Sequence, residues 1–421
     1  MMRFPKPCFT DTQRTLGFGD RWGLAGAGHI QASYRCTFMG AFAQQHVDEI
    51  RGTMRKPSDV VIAARQALEK ARYPNRWAAN IDGIRSVDDI EWVKDAGFSL
   101  FTVDVSQEVF SDADDLSKDA LASLCEGLSK EGIIQWDALC ERFLDKPFEV
   151  SELLVIQLGK EKLMRLAVKF GRAIARADAL MSALADRMPG RDTYEVELSL
   201  SSSPSPTTAE EHMFVVELLK EKGHTITSFA PRMLIGWESV VDFRGTRQQV
   251  ERFMKAHVAV AYHEGPYKVS IHHGDDKFRV LPSIGLICGN LLHFKVSGTS
   301  YLEGLRVVVR KHPTLFNEIA AFCLENHGMR SYPIPCSLER DAIEELARTT
   351  LKDVEGSFID HEVGRQLLEG MFAPVFSIGR RPNGIPFKEA LTEVIQKHES
   401  LFVDFLDERI GRHVELLSTS S

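Results

Sequence analysis

The stretch Lys268-Val269-Ser270-Ile271-His272 is a short, largely apolar run that ends at a side chain able to do chemistry. The same pattern recurs along the chain and predicts eight strands, at Thr15–Phe18, Phe38–Ala43, Arg76–Asp82, Phe98–Asp104, Tyr194–Leu200, Thr225–Ala230, Lys268–His272 and Leu292–Val296. Amphipathic helices such as Val60–Arg72 and Val87–Ala96 separate the early strands, which is typical of a parallel sheet. Because the carboxyl ends of parallel barrel strands open on one face, side chains distant in sequence would converge there. The sequence therefore predicts an α/β fold, a (β/α)8 TIM barrel, and an enzyme.

The length of 421 residues fits one barrel with helical additions, since such barrels take roughly 250 residues. We expect the barrel over residues 1–312, with a short tail at Met1–Gln13 and a helical insertion between strands 4 and 5, at about residues 107–190. Within the insertion, Lys160–Asp186 has the apolar spacing of a helix. Residues 313–421 are expected to form a C-terminal helical extension packed on the barrel, with helices at Leu315–Asn326, Leu338–Leu351, Val363–Phe372 and Pro386–Leu416.

The bulk composition excludes several classes of function. A net charge of −8 and a pI near 6.0 argue against nucleic-acid and anionic-membrane partners. Seven widely spaced cysteines without a C-x-x-C pair are typical of reduced thiols. No stretch is long and apolar enough for a membrane span, and Met1–Thr10 is not a signal peptide. We expect a cytoplasmic protein, for which the sequence leaves a homo-oligomer open.

Nucleotide cofactors are not expected. The glycines of Gly23–Gly28 have the wrong spacing for a dinucleotide fingerprint, and the sequence has neither a phosphate-binding G-x-x-x-x-G-K-[ST] motif nor a G-x-S-x-G elbow.

Histidines at two neighbouring strand ends suggest a metal site. Successive residues of a strand point to opposite faces, so only one of His272 and His273 looks into the barrel mouth. Neutral imidazole is a good ligand for a divalent metal. We predict a divalent cation bound by His272 and His293, which belong to neighbouring strands. A hydrogen bond within the core is the alternative for each ring.

Two aspartates are the catalytic candidates. Asp82 ends strand 3 and is a general base, a metal ligand or a helix N-cap. Asp20 ends strand 1, where an ion pair with Arg21 that shapes the loop is the alternative. The expected substrate contacts are polar and basic side chains at strand ends: Arg21, Gln44, Gln45, Arg232, Lys277, Lys295, Thr299 and Ser300. Arginine forks grip carboxylates, and the helix start at Ser300 either binds an anion or forms a capping box with Glu303.

Two longer motifs carry a family resemblance. Ser270–Phe278 reads S-[IL]-H-x-G-x-D-K-F, and His293–Val307 reads H-x-K-x-x-G-T-S-Y-L-E-x-L-R-V. Supporting matches lie at Gly17–Arg21, Phe42–Gln45, Phe98–Asp104 and Phe214–Glu217. From about Leu16 to Leu416, the chain resembles the tagaturonate/fructuronate epimerase family, whose members also include enzymes acting on fructose and tagatose.

The resemblance implies a metal-dependent isomerase that inverts one hydroxyl-bearing carbon of a keto-hexuronate, without distinguishing Mn, Zn and Ni. The inverted carbon lies one position beyond the carbon that the ketone acidifies, and a retro-aldol cleavage with re-addition is one physically sensible route. A metal-dependent aldolase on sugar acids is an alternative. A non-catalytic relative that binds a sugar acid is another.

The chain departs from the family pattern at three places. Gly83 replaces a histidine after strand 3, the loop around Ser201–Pro206 replaces an acidic run, and Glu369 replaces a second histidine. Two histidines alone make a weak metal site, because catalytic sites generally use three protein ligands. Asp82, His273 or Asp275 would have to complete it.

Overall fold

A computed structural model describes residues 4–9, 13–190, 192–329, 338–348 and 353–418. Eight strands of this part close into a barrel: β1 (Thr15–Gly19), β2 (Met39–His46), β3 (Ala78–Ile84), β4 (Leu100–Asp104), β7 (Glu195–Ser199), β8 (Ser228–Ala230), β9 (Lys268–Ile271) and β10 (Leu292–Val296). Their order around the barrel is β1-β10-β9-β8-β7-β4-β3-β2, and all neighbours are parallel. The two remaining strands, β5 (Pro147–Ser151) and β6 (Leu154–Gln157), form an antiparallel hairpin. The predicted TIM barrel is confirmed.

Helices surround and extend the barrel. They are α1 (Gly26–Ser33), α2 (Val47–Gly52), α3 (Pro57–Lys70), α4 (Val87–Val93), α5 (Lys118–Lys130), α6 (Trp136–Phe143), α7 (Lys160–Arg187), α8 (Ala209–Glu221), α9 (Arg247–Glu264), α10 (Leu281–Cys288), α11 (Gly298–Lys311), α12 (Pro313–Glu325), α13 (Arg340–Arg348), α14 (Glu362–Gly370), α15 (Phe372–Ser377), α16 (Phe387–Lys397) and α17 (Glu399–Ser418). Helix α17 packs along α1, α10 and α11, which ties the end of the chain to the barrel wall.

The insertion between β4 and β7 contains the expected long helix, α7, and also the β5–β6 hairpin, which the sequence did not predict. In the C-terminal part, the expected helix Pro386–Leu416 is two helices that meet at His398. The end of the expected helix Leu338–Leu351 lies outside the described residues, as do residues 1–3 and 10–12 of the expected tail. The division at residues 312 and 313 stays a prediction.

The N-terminal ends of the barrel strands are closed by the segment before β1. The backbone N–H groups of Cys8 and Phe9 donate to the carboxylate of Glu195 at 2.8 and 2.6 Å. The Phe9 ring packs edge-on against the imidazole of His293, with 4.4 Å between the centroids. This segment therefore covers the barrel end near Glu195 and His293, and a polar pocket lies at the other end, where the strands terminate.

None of the helices in the described part combines the length and the apolar character needed to cross a lipid bilayer.

Candidate active site

A polar cavity of about 450 Å³, including its open mouth, lies at the C-terminal ends of the barrel strands. Its lining is Gln44, His46, Glu49, Asp82, Gly83, Asp104, Ser199, Ser201, Ser202, His272, His273, Lys295 and Ser297. These residues come from β2, β3, β4, β7, β9 and β10, from the loops that directly follow them, or, for Glu49, from helix α2. The expected convergence of strand ends on one pocket is thus what the structure shows.

Three potential metal ligands meet in this pocket. One ligand atom each of Asp82, Glu197 and His272 lies within 4.8 Å of the other two. The two carboxylates belong to β3 and β7, and the imidazole directly follows β9. Carboxylate oxygen and imidazole nitrogen are ligands that divalent transition metals accept, and three protein ligands leave positions for substrate.

Lys295 lies between the two carboxylates of this group. Its Nζ is 2.9 and 3.0 Å from the oxygens of Asp82 and 2.7 Å from Oε1 of Glu197. Burial alone would raise the pKa of Asp82, but Lys295 and His272 hold it down at about 2. Lys295 and His272 likewise hold the pKa of Glu197 well below its usual value, against the effect of burial. Both groups are therefore carboxylates at neutral pH, which suits them as ligands and makes them weak bases.

The second oxygen of Glu197 supports a cation site. Oε1 accepts hydrogen bonds from Lys295, His272 and Thr102, whereas Oε2 is buried and has no hydrogen-bond partner among the described residues. An ionised oxygen buried without a partner is costly, and a bound cation would remove that cost. The residues present therefore fit a divalent cation.

The ring of His272 is oriented from both sides. Nε2 is 2.9 Å from Oε1 of Glu197, and Nδ1 is 3.0 Å from the hydroxyl of Ser201. The indole Nε1 of Trp237 donates to the backbone oxygen of His272 at 3.0 Å. Partners of this kind fix the tautomer and direction of a metal-binding imidazole.

Small polar groups form the wall beside His272. The hydroxyls of Ser199 and Ser201 are 2.9 Å apart, and Asp104 accepts from the backbone N–H and the hydroxyl of Ser106. The loop after β7 thus lines the pocket with the hydroxyls of Ser201 and Ser202. Such groups suit the alternating donors and acceptors of a sugar.

Asp20, predicted to be catalytic, and several predicted substrate contacts are engaged elsewhere. Asp20 accepts three backbone N–H groups, from Trp22, Gly23 and Ala25, so it shapes the loop after β1. Arg21 is buried between Glu49 and Glu369. Neither Asp20 nor Arg21 lines the pocket.

The same holds for the loops after β9 and β10. Both the backbone N–H and the hydroxyl of Thr299 donate to Asp275, and Ser300 donates to the backbone oxygen of Gly19. Lys277 donates to three backbone oxygens, those of Glu238, Val241 and Asp275. These side chains hold the loops around the pocket.

Of the other predicted contacts, Gln44 lines the pocket and donates to Asp82 at 3.0 Å. Gln45 is not among the lining residues and donates to Glu49. Arg232 reaches the pocket edge, where it donates to the backbone oxygen of Ser201 at 3.4 Å.

The structure does not bring His272 and His293 together at one site. Strand β10 begins at Leu292, so His293 lies near its N-terminal end, fully buried, with Nδ1 2.8 Å from the hydroxyl of Thr15. His293 is not a member of the ligand group. The group that could hold a metal therefore contains His272, Asp82, which was expected as a possible third ligand, and Glu197 in place of His293.

Glu197 was not predicted as a site residue, because only the alternation of apolar and polar residues was used to predict the fifth strand. Glu195 and Glu197 occupy the inward positions of a strand whose residues are all buried. Charged residues at buried strand positions are rare unless they are paired, and this was the available signal.

Comparison with known proteins agrees with this architecture. A family model described as UxaE, tagaturonate epimerase, matches residues 1–417. The chain belongs to the tagaturonate epimerase family. Within the family, a tagaturonate/fructuronate epimerase from Thermotoga maritima is 31% identical over 414 residues, which is 98% of this chain and 82% of the relative. Crystal structures of fructuronate-tagaturonate epimerase from Cohnella laeviribosi match with TM-scores of 0.90 in a glycerol complex and 0.89 in the native form. Each is 27% identical and covers 99% of this chain and 83% of the other.

Proposed function

We propose that this protein interconverts tagaturonate and fructuronate in the pocket at the C-terminal face of the barrel, with a divalent cation bound by Asp82, Glu197 and His272. The observation that carries the proposal is this ligand group in the open pocket of a chain that belongs to the tagaturonate epimerase family. The relatives from Thermotoga maritima and Cohnella laeviribosi, which bear that activity in their names, support it.

The bound cation would act as a Lewis acid on the substrate ketone. In the route we favour, the hydroxyl on the carbon to be inverted loses its proton, and the bond from that carbon to its neighbour beside the ketone breaks. The electron pair moves to the former ketone oxygen, and an aldehyde forms. Re-addition to the opposite face of the aldehyde restores the bond with the inverted configuration, so no atom is gained or lost.

The chain supplies groups for each part of this substrate. Asp104 lines the pocket and has only Oδ1 bound by Ser106, so we assign Oδ2 to accept the hydroxyl proton. Lys295 and Gln44 would donate to substrate oxygens beside Asp82. Arg232 forms no salt bridge within the described part of the chain, and its position at the pocket edge fits the substrate carboxylate.

The test starts from purified protein stripped of metal with a chelator and reloaded separately with Mn²⁺, Zn²⁺ or Ni²⁺. Metal content is measured by mass spectrometry, and the conversion of tagaturonate is followed by NMR. We expect about one cation per chain and approach to one equilibrium mixture from either substrate. Three-carbon products would identify an aldolase instead. No conversion with any metal, together with a ligand-induced rise in melting temperature, would identify a binding protein.

A further inference from the structure

His46, which no expectation from the sequence involved, is the last residue of β2 and lines the pocket. In the register of β2 and β3 it is paired with Asp82, one of the three ligand candidates. The imidazole therefore lies beside the position where the substrate would meet the cation.

The hydrogen bond at Nδ1 fixes the protonation of this ring. His46 is the N-cap of α2, and its Nδ1 accepts from the backbone N–H of Asp48 at 3.1 Å. A backbone N–H can only donate, so Nδ1 carries no proton. A neutral ring bound in this way has its proton on Nε2. In an imidazolium, the Nδ1–H of His46 would face the backbone N–H of Asp48, and two donors cannot form a hydrogen bond.

The absence of a side chain at Gly83 leaves the space that the Nε2 end of the His46 ring occupies. Gly83 also lines the pocket, has a φ of +76°, and lies so close to the ring that a Cβ there would be 2.0 Å from Nε2. The imidazole thus fills the space that any side chain at position 83 would need. The conformation of Gly83 and the position of the His46 ring therefore depend on each other at the pocket wall.

We propose that His46 is a catalytic residue, a neutral imidazole whose Nε2–H donates a hydrogen bond to the substrate oxygen on which negative charge builds during the inversion. The proton stays on Nε2 throughout, so the step needs no further proton acceptor. This role rests on the proposed function. A neutral donor aimed at a developing oxyanion stabilises the transition state more than the ground state.

His46 stands apart from the cation ligands, because it is not a member of the group formed by Asp82, Glu197 and His272. Replacing His46 with Ala should therefore leave about one cation per chain, whereas replacing His272 with Ala should remove it. Loss of metal from the His46→Ala variant would overturn the assignment.

The tautomer can be measured without turnover. In protein labelled with ¹⁵N-histidine, the resonances that disappear in the His46→Gln variant identify His46. We expect one protonated nitrogen and one unprotonated nitrogen near pH 7.5, with the proton on Nε2. An imidazolium, or a proton on Nδ1, would contradict the proposal.

Kinetics test the catalytic role. We expect His46→Ala to lower kcat about 100-fold with KM changed less than about threefold, because the donor acts in the transition state. His46→Gln keeps an N–H donor and should recover part of that loss. Gly83→Ala should displace the ring and lose as much as His46→Ala.

Gly132→Ala is the matched control, since Gly132 has a φ of +73° and no atom within 4 Å of an added Cβ. It should suffer the backbone strain of Gly83→Ala without displacing any side chain, and keep its activity. Suppose that the wild type converts tagaturonate, and that His46→Ala is equally fast or Gly83→Ala stays fully active. The role of His46 is then refuted, while the proposed function stands. If the wild type is inactive, the proposed function fails as well.

Discussion

Replacing Arg21 with Met should destabilise the protein strongly and leave substrate binding intact. The guanidinium lies 2.6 Å from both Glu49 and Glu369, and the exposed fractions of the three side chains are 2%, 3% and 2%. It also lies 3.9 Å from the centre of the Phe372 ring. Without Arg21, these two buried carboxylates would lose their shared counter-charge.

The expected cost follows from burial. Removing one partner of a buried ion pair typically costs about 3–5 kcal/mol. For a chain of 421 residues, the entropy of unfolding is about 0.9 kcal/mol per kelvin, so the melting temperature should fall by about 3–6 °C. The double variant Arg21→Met/Glu369→Gln restores the net charge of the wild-type triad and should recover a large part of the loss.

Arg35 is the matched control. It forms the same kind of double ion pair, with Asp407 and Glu415, but its side chain is 35% exposed. Exposed pairs contribute about 0–1 kcal/mol, so Arg35→Met should shift the melting temperature by about 1 °C or less.

Calorimetry and epimerisation kinetics on the same samples decide between the two roles of Arg21. We expect a lowered melting temperature and an unchanged KM for tagaturonate, measured well below the transition. A KM raised tenfold or more with an unchanged melting temperature would mean that Arg21 contacts the substrate, as its strand-end position first suggested, and would refute the structural role.

Three further predictions concern the ligands and the charges around them. His272→Ala should lose the bound cation, whereas His293→Ala should keep it. Mass spectrometry of the metal content of both variants checks this. Metal loss from His293→Ala would mean that His293 is a ligand after all. Trp237→Phe removes the donor to the His272 backbone and should weaken metal affinity about tenfold in a chelator competition, with an unchanged melting temperature. Burial raises the pKa of Asp276, but Arg365, Arg409 and His413 together outweigh burial and hold this pKa well below its ordinary value. The stabilisation by Asp276 is therefore fully present above its unfolded pKa of about 4 and is lost progressively as the pH falls toward its folded pKa. The stability difference between wild type and Asp276→Asn should shrink from pH 5 to pH 2 in urea melts, and a constant difference would contradict this.

The barrel could be predicted because each of its strands is a short apolar run buried on both faces. Such runs are distinctive when helices separate them, and the eight predicted strands are the eight barrel strands. The hairpin β5–β6 escaped prediction for the opposite reason. Its residues are largely exposed, with Leu153 at 98%, so no burial pattern marks it.

The sequence predicted which residues belong to the pocket better than it predicted how deep in the barrel each one lies. Asp82, His272, Gln44 and Lys295 were expected at the pocket because they stand at or near strand ends, and they line it. His293 stands two residues before Lys295, and each strand residue advances about 3.3 Å, so its ring lies about 7 Å deeper in the barrel. A sequence shows that a residue belongs to a strand more clearly than it shows where the strand begins.

The partners of charged side chains were the least predictable feature. Arg21 near a strand end reads as a carboxylate binder until Glu369, which is 348 residues away, is brought against it. Thr299 likewise reads as an anion site until Asp275 occupies its donors. Sequence identifies groups able to bind a ligand, and only the fold shows which of them are already bound to the protein.

The charges inside the barrel explain why the chemistry lies at one end. In the lower layer, Glu195 accepts backbone N–H groups from Cys8 and Phe9, and Lys268 donates to backbone oxygens, so both charges have main-chain partners. In the upper layer, Asp82, Glu197 and Lys295 are held by one another and by His272, and a cation or substrate can exchange those partners. The exchangeable side-chain partners therefore lie at the C-terminal ends of the strands, where the pocket opens.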